Sequence, residues 1–369
     1  MRKDWEYKKL GEVANVVMGQ SPDGSNVNNE NGMEFHQGKI NFGEQFLMKS
    51  DCFTTQVTKV AEKGSILLCV RAPIGIINIT DRDICIGRGL CAIKEKTEVD
   101  NLFLYYYLLN KKLYFEKNST GSTFKAISSK VVLHTPIFLP PKPTQLAIVA
   151  ELDKLNEMIR LKKQQLEDYD QLAQSIFYEM FGDPVENEKG WEVKKISEVS
   201  IYYNGKAHEN DIDESGKYIL INSKFISSEG SVLKRTATQH FPLYKNDVVM
   251  VLSDLPNGKA LGKCCLITKD DIYSLNQRIC CFRGFKGDSH FFKYMINRHP
   301  YFLSFDDGKG QTNLRKKDVE NCPIPLPPLP LQQQFAARIE AIERQKQQVS
   351  ETIKDLETLL ASRMQYWFD

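Results

Sequence analysis

No stretch of this 369-residue sequence approaches the roughly 20 consecutive apolar residues that a membrane-spanning helix requires. The opening Met1-Arg2-Lys3-Asp4-Trp5-Glu6 is polar and carries no signal-peptide pattern, so a cytoplasmic protein is expected. Metal-ligand spacing is equally scarce. The six histidines are scattered without an HxxxH pair, and none of the nine cysteines forms a CxxC with partners at zinc-site distance. Cys52, Cys69, Cys85, Cys91, Cys264, Cys265, Cys280, Cys281 and Cys322 mostly sit in Ile/Leu/Val-rich runs, as expected of buried free thiols. No metal site is expected.

Catalytic signatures are missing too. Methylation of an extruded adenine calls for an (N/D)PP(Y/F) run to hold the base. The nearest stretch, Ser253-Asp254-Leu255-Pro256-Asn257, lacks the second proline and the aromatic. A phosphate-cradling Walker loop needs a hydroxyl after its Gly-Lys at fixed spacing, which Gly258-Lys259 and Gly262-Lys263-Cys264 do not offer. No nuclease-like arrangement of Asp, Glu and Lys follows a strand-like run. The sequence predicts a protein without a catalytic site of its own.

What is present describes a globular protein: 41% hydrophobic and 10% aromatic residues, in a chain long enough for two domains with separate cores. The net charge of +2 says little as a whole. By segment it is +4 over 1–143, −3 over 144–182, +2 over 183–330 and −1 over 331–369. Two mildly basic segments alternate with two acidic ones, which permits polyanion binding without requiring it.

The chain is one unit written twice. Trp5-Glu6-Tyr7-Lys8-Lys9-Leu10-Gly11-Glu12-Val13 returns as Trp191-Glu192-Val193-Lys194-Lys195-Ile196-Ser197-Glu198-Val199. Leu139-Pro140-Pro141-Lys142-Pro143-Thr144-Gln145 returns as Leu326-Pro327-Pro328-Leu329-Pro330-Leu331-Gln332, and Gly121-Ser122-Thr123 corresponds loosely to Gly310-Gln311-Thr312. Between these anchors the halves diverge. Gly32–Gly38 has only a vague counterpart in Gly216–Asn222.

A heptad pattern follows each proline cluster. Ile148, Leu152, Leu155, Ile159, Lys162, Leu166, Tyr169, Ala173, Ile176 and Met180 step by four and three, as do Phe335, Ile339, Ile342, Lys346, Val349, Ile353, Leu356 and Leu360. Held this long, the alternation predicts coiled-coil helices rather than isolated surface helices, starting just after the prolines. Because each helix follows a globular segment, an antiparallel pair is expected. Buried strands are expected at Gly64–Val70, Ile84–Ile86, Asn246–Leu252 and Arg278–Phe282, and short buried helices at Asn101–Leu109 and Phe291–Ile296. The fold class is therefore α+β, with two β-rich domains joined by two long helices in a pseudo-twofold repeat. The expected boundaries are 1–143 and 183–330 for the domains, with 144–182 and 331–369 for the helices.

The Leu-Pro-Pro-x-Pro-x-Gln turn before each helix, the Gly-x-Thr loop ahead of it and the Trp-Glu-x-Lys-Lys opening of each half resemble the specificity subunit of a Type I restriction-modification system. The resemblance spans essentially the whole chain. It implies a non-catalytic subunit whose two target recognition domains each read one half of a bipartite, asymmetric duplex DNA sequence. It further implies helices that space the half-sites and dock two modification (methyltransferase) subunits, through which restriction subunits join. S-adenosylmethionine, ATP and magnesium then belong to the partners, and this chain needs no cofactor. A rod holding two readers on one face of a duplex converts helix length into half-site spacing, which accords with that arrangement. The alternative class is a coiled-coil assembly protein whose lobes bind proteins. A fused restriction and methylation enzyme would need a longer chain.

Candidate DNA contacts follow from residue type. Arg suits guanine, and Asn or Gln suits adenine, through paired hydrogen bonds; Lys, Thr and backbone amides suit phosphates. In the first half the candidates are Gln20, Gln37, Lys39, Arg71, Arg88, Thr123 and Lys125. In the second they are Lys206, Asn276, Gln277, Arg278, Lys309, Thr312 and Arg315. Each also fits a structural ion pair, a helix cap or a solvated loop, and the sequence leaves both readings open.

Overall fold

The computed structural model describes residues 5–121, 125–208 and 210–369. Strands and helices mix throughout, and the chain divides into two compact units, Met1–Lys163 with Thr352–Asp369 and Gln164–Glu351. This division crosses both long helices, so each unit is a lobe plus a part of each helix.

The repeated motifs are structural partners. The Trp-Glu-x-Lys-Lys runs form strands Glu6–Lys9 and Glu192–Lys195. They pair antiparallel with Pro136–Leu139 and Pro323–Leu326, placing Glu6 opposite Leu139 and Glu192 opposite Leu326. Each lobe is thus closed where its long helix leaves. The glutamine ending each proline motif completes the joint. Gln145, 1% exposed, accepts from the Asp100 N–H (2.8 Å) and donates to the carbonyls of Pro140 (2.9 Å) and Glu98 (3.2 Å). Gln332, 4% exposed, accepts from the Asp288 N–H (3.0 Å) and donates to the Pro327 carbonyl (2.8 Å). Asp100 and Asp288 in turn cap the buried helices Asn101–Asn110 and Ser289–Ile296.

Each lobe contains an antiparallel four-stranded sheet. Its order in the first is Ala14–Met18, Leu90–Glu95, Ile66–Cys69, Ile77–Ile79, matched in the second by Ile201–Asn204, Ile279–Arg283, Val248–Val251, Cys264–Leu266. The further sheets differ, five-stranded in the first lobe and three-stranded in the second, yet share a parallel pair. Phe35 lies opposite Cys85, and Ile219 opposite Tyr273. The weak likeness of Gly32–Gly38 to Gly216–Asn222 therefore marks equivalent strands. Seven of the nine cysteines are buried and none forms a disulfide; burial pushes the Cys69 and Cys91 thiols up to about 12.

The two helices, Lys142–Phe181 and Leu329–Phe368, are 40 residues each, about 60 Å at 1.5 Å per residue. Pro143 and Pro330 sit inside the first turn rather than ahead of it, where a missing N–H costs no helical bond. Ile148, Leu152, Leu155 and Ile159 are buried, as are Phe335, Ile339, Ile342, Val349, Ile353 and Leu356; Leu166 is half-buried. The pattern changes near the C-terminal ends. Ile176 and Met180, expected in the seam, are only half-buried, while Phe177 and Phe181 are buried. There the helix turns its buried face into the second lobe's core, which takes in the start of the partner helix, and Phe181 packs on Phe291 and on the partner helix's Phe335 at centroid distances of 4.8 and 5.3 Å. Met364 and Phe368 do the same in the first lobe's core, Phe368 lying 5.6 Å from Tyr107 and 5.8 Å from Phe103.

Within each unit the two helices pack antiparallel. In one, Glu151 accepts from Arg363 and from the Trp367 indole N–H (3.0 Å), and Lys163 pairs with Glu357 at 3.3 Å. In the other, the seam lysine Lys346 reaches Asp170 (2.6 Å) and Glu229 (3.1 Å). Burial opposes its charge, but these carboxylates outweigh that and hold its pKa above the ordinary lysine value. The other seam lysine, Lys162, is half-buried.

Phe181→Ala is expected to lower stability by about 3–5 kcal/mol, through lost burial and a cavity among the rings. Gln145→Leu is expected to cost about 1–3 kcal/mol by orphaning the buried Pro140 carbonyl and the half-buried Asp100 N–H. Urea unfolding measures both, and a loss below ~1 kcal/mol for Phe181→Ala would place that ring outside the core.

Candidate nucleic-acid interface

Six backbone hydrogen bonds, matched one to one between the lobes, build the same framework twice. In the first lobe Gly19 donates to Leu90 (2.9 Å), Gln20 to Ile86 (2.9 Å), Gly87 to His36 (2.8 Å), Leu90 to Gly87 (2.9 Å), Val70 to Gly89 (3.0 Å) and Ile127 to Val70 (3.0 Å). In the second, Gly205 donates to Ile279 (3.1 Å), Lys206 to Leu275 (2.9 Å), Asn276 to Ile221 (3.0 Å), Ile279 to Asn276 (3.0 Å), Leu252 to Arg278 (2.9 Å) and Leu314 to Leu252 (2.8 Å). Glycine is required at the crossing point. A Cβ on Gly19 would lie 2.2 Å from the Gly87 carbonyl oxygen, and one on Gly205 would lie 2.1 Å from that of Asn276.

This framework gathers most of the candidates. Around the Gly87–Gly89 turn the first lobe brings together Gln20, Gln37, Arg71 and Arg88, all exposed. The Arg88 N–H points to the Ser21 hydroxyl at 3.4 Å, Arg71 bridges to Ala126 beside exposed Lys125, and Lys39 acts electrostatically on the buried Cys69 thiol. In the second lobe, exposed Lys206 bridges to Asn276, followed by half-buried Gln277 and exposed Arg278. Buried His208 locks this turn, its ring nitrogens 2.7 Å from the Lys206 carbonyl oxygen and 2.7 Å from the Ser274 hydroxyl.

Matched positions carry different chemistry. Gln20 corresponds to Lys206, Arg88 to Gln277 and Gly89 to Arg278. Arg71, bridged to Ala126, corresponds to Ser253, paired with Asn313. Gln37 and Lys39 correspond to Asn222 and Lys224, which follow the matching parallel strand. Asn222, Lys224 and Ser253 were not singled out in the sequence; the faint Gly32–Gly38 likeness was the available signal for the first two.

Four candidates stand apart. Thr123 lies outside the described residues. Thr312 is only 8% exposed, and its hydroxyl donates to Asp306 at 3.1 Å, which makes it a loop anchor. Arg315 is exposed at the N-cap of Lys316–Glu320. Lys309 is exposed on the same loop as Thr312. Asp254, in the stretch nearest a methyltransferase motif, is occupied by the N–H groups of Leu255 (2.9 Å), Ala260 (2.6 Å) and Leu261 (3.2 Å), a structural duty.

Ion pairing separates structural cations from available ones. Arg82 holds Glu34 through two 2.6 Å bonds, and Arg283 grips buried Asp247 with a bond of 2.7 Å. Partial burial opposes Glu34 ionisation, but Arg82, His36 and the Ser50 N–H outweigh it and bring its carboxyl down to about 2. Among the described residues, Lys39, Arg71, Arg88, Lys125, Lys206, Arg278, Lys309 and Arg315 form no salt bridge. No group of three or more His, Cys, Asp or Glu among the described residues is placed to hold a metal, and no helix is long and apolar enough to cross a membrane.

The Type I restriction modification DNA specificity domain matches this sequence twice, over residues 2–168 and 188–358. The chain belongs to that family. The type I restriction enzyme MjaIX specificity subunit of Methanocaldococcus jannaschii is 24% identical over 92% of this chain and 87% of its own length. A protein of the same organism named for the MjaX specificity subunit is 38% identical over 178 residues, 47% of this chain; the chain spans 42% of that relative's length. The Type I restriction-modification S subunit from M. genitalium has the same fold, with a TM-score of 0.55 at 16% identity, covering 98% of this chain and 95% of that one. A solved chain from work on complex assembly and conformational transition of the type I R-M system gives 0.60 at 18% identity, covering 100% and 98%. Specificity subunits are the non-catalytic members of their systems, consistent with the sequence expectation of no catalytic site. Each specificity domain match takes in one lobe and most of the helix after it.

Arg283→Met is expected to cost about 3–5 kcal/mol by stranding buried Asp247, whereas Arg88→Ala and Arg278→Ala should leave the melting temperature unchanged. Glu34, with its pKa lowered on folding, stabilises the fold above about pH 4.5, and this contribution is lost as pH falls toward about 2. An acid titration of Glu34→Gln should lack that loss; an unchanged profile would remove the assignment.

Proposed function

We propose that this chain is the sequence-reading subunit of a Type I restriction-modification complex, each lobe reading one half of a bipartite, asymmetric duplex target. The observation that carries the reading is the framework of six matched backbone hydrogen bonds holding unlike side chains. Backbone bonds give both readers the same pose on a duplex, while the side chains at matched positions set which bases are bound. Arg71 and Arg88 in the first lobe suit guanine, with Gln20 and Gln37 for adenine; Asn276, Gln277 and Arg278 supply the same chemistries differently placed. Lys39, Lys125, Lys206, Lys309 and Arg315 serve phosphates. The eight cations are available because the fold does not spend them on carboxylates.

In this reading the paired helices set the half-site gap and dock two modification subunits, through which restriction subunits join in the cytoplasm. The chain uses no cofactor itself; S-adenosylmethionine, ATP and magnesium serve its partners.

With its modification partner, the chain should bind one bipartite duplex far more tightly than a scrambled one, and affinity should fall steeply with added salt as counterions are released. Equal affinity for both duplexes at physiological salt, with tight salt-insensitive binding to a protein instead, would favour a coiled-coil assembly role. Inserting one heptad at matched positions in both helices should widen the methylated gap by roughly 3 base pairs without altering the bases read. Methylome sequencing reads the gap, and an unchanged gap would end the spacer role.

A further inference from the structure

The two most exposed large apolar side chains among the described residues, Ile40 at 91% and Leu255 at 70%, both stand among the proposed DNA contacts. Each sits on the crest of a stiff turn. Past Gln37 and Gly38, the first lobe forms a single helical turn, Lys39–Asn41. That turn is closed by the Phe42 N–H to the Lys39 carbonyl (3.0 Å) and tied down by the Met48 N–H to the Asn41 carbonyl (2.8 Å). Leu255 rides a turn closed by the Gly258 N–H to the Leu255 carbonyl (2.9 Å), with Asp254 holding three further N–H groups.

Burial is available to such residues in this fold. The second-lobe position matching Ile40 is Phe225, which lies within the short helix Ser223–Ser227 and is buried in a small core. Leaving an isoleucine bare forgoes the burial that drives folding. The surroundings are amide and cationic near Ile40, with Gln37, Lys39 and Lys49; near Leu255, Asn257, Lys259 and Lys309 stand with Asp254 and Asp306, whose carboxylates are taken up by main-chain N–H groups of the turn. A lone aliphatic group among cations and amides suits a surface whose flanks are anionic and whose floor is polar except for one apolar group. The major groove is such a surface, and its apolar group is the thymine 5-methyl.

We propose that Ile40 and Leu255 are specificity-determining residues, each packing on the 5-methyl group of one thymine in its own half-site. The proposal rests on the DNA-reading assignment above. The test uses the full chain with its modification partner and the duplex identified by methylome sequencing, with deoxyuridine replacing each thymine in turn. One replacement in each half-site should weaken wild-type binding roughly three- to tenfold, the scale of one buried methyl group. Ile40→Ala should bind the intact duplex more weakly by a similar factor and be indifferent to deoxyuridine at one of those positions. Leu255→Ala should do the same at the other. Unchanged thermal melting of each variant keeps the result free of folding effects.

A wild-type complex that prefers its target yet tolerates every deoxyuridine overturns this proposal and leaves the DNA-reading assignment standing. So does a target with no thymine in either half-site, or an Ile40→Ala variant as sensitive to every replacement as wild type. Raised 2-aminopurine fluorescence at a tolerated step would mean insertion between bases, and overturns the methyl contact equally. Loss of preference for the target over scrambled DNA in the wild type fails the underlying assignment instead.

Discussion

The closing strand pair of each lobe, Glu6–Lys9 on Pro136–Leu139 and Glu192–Lys195 on Pro323–Leu326, is the constraint on which the rest depends. It brings the start of a half against the segment that launches the long helix, so the helix begins inside the lobe it has just completed. Gln145 and Gln332 make the joint rigid by satisfying backbone groups that burial would otherwise leave unpaired. From there the first apolar turns of each helix, Ile148 and Leu152 or Phe335 and Ile339, enter the adjoining core. The ends Met364 and Phe368, or Phe177 and Phe181, enter the same cores from the other helix. Antiparallel packing is the consequence within each unit.

Side chains on such a scaffold can change without loss of the framework. The six bonds that hold the turns together run between main-chain atoms, so they persist whatever side chain a position carries. Gly19, Gly89 and Gly205 are sterically bound to their identity, because a Cβ on each would lie 2.1–2.2 Å from a main-chain carbonyl oxygen. The same separation governs charge. Arg82 and Arg283 hold partly or fully buried carboxylates and cannot be traded without stranding them, while Arg88 and Arg278 on the turns answer to no internal partner among the described residues.

Much of this was legible in the sequence, and the reasons are local. Helix periodicity, proline position and strand-like apolar runs depend on near neighbours, so both long helices, the buried strands and the short buried helices were foreseen within a few residues. The exceptions occur where a distant element overrides the local pattern. Phe177 and Phe181 replace Ile176 and Met180 because that end is received by the lobe core together with the partner helix's Phe335, not by the helix seam alone. Thr312 looked like a phosphate contact beside glycines and lysines, yet Asp306 takes its hydroxyl.

By itself the sequence determined the duplicated plan, the two helices in a common register and the absence of a recognisable catalytic motif, since all three are written in spacing and residue type. Only the tertiary structure decided that Gln20, Arg71, Arg88 and Lys125 lie around one turn, that Lys206 and Arg278 lie around its counterpart, and that Ile40 stands bare while Phe225 is buried. Those facts depend on which strands pair and which carboxylates lie within reach of which cations. Such pairings join residues far apart in the chain, and no local pattern encodes them.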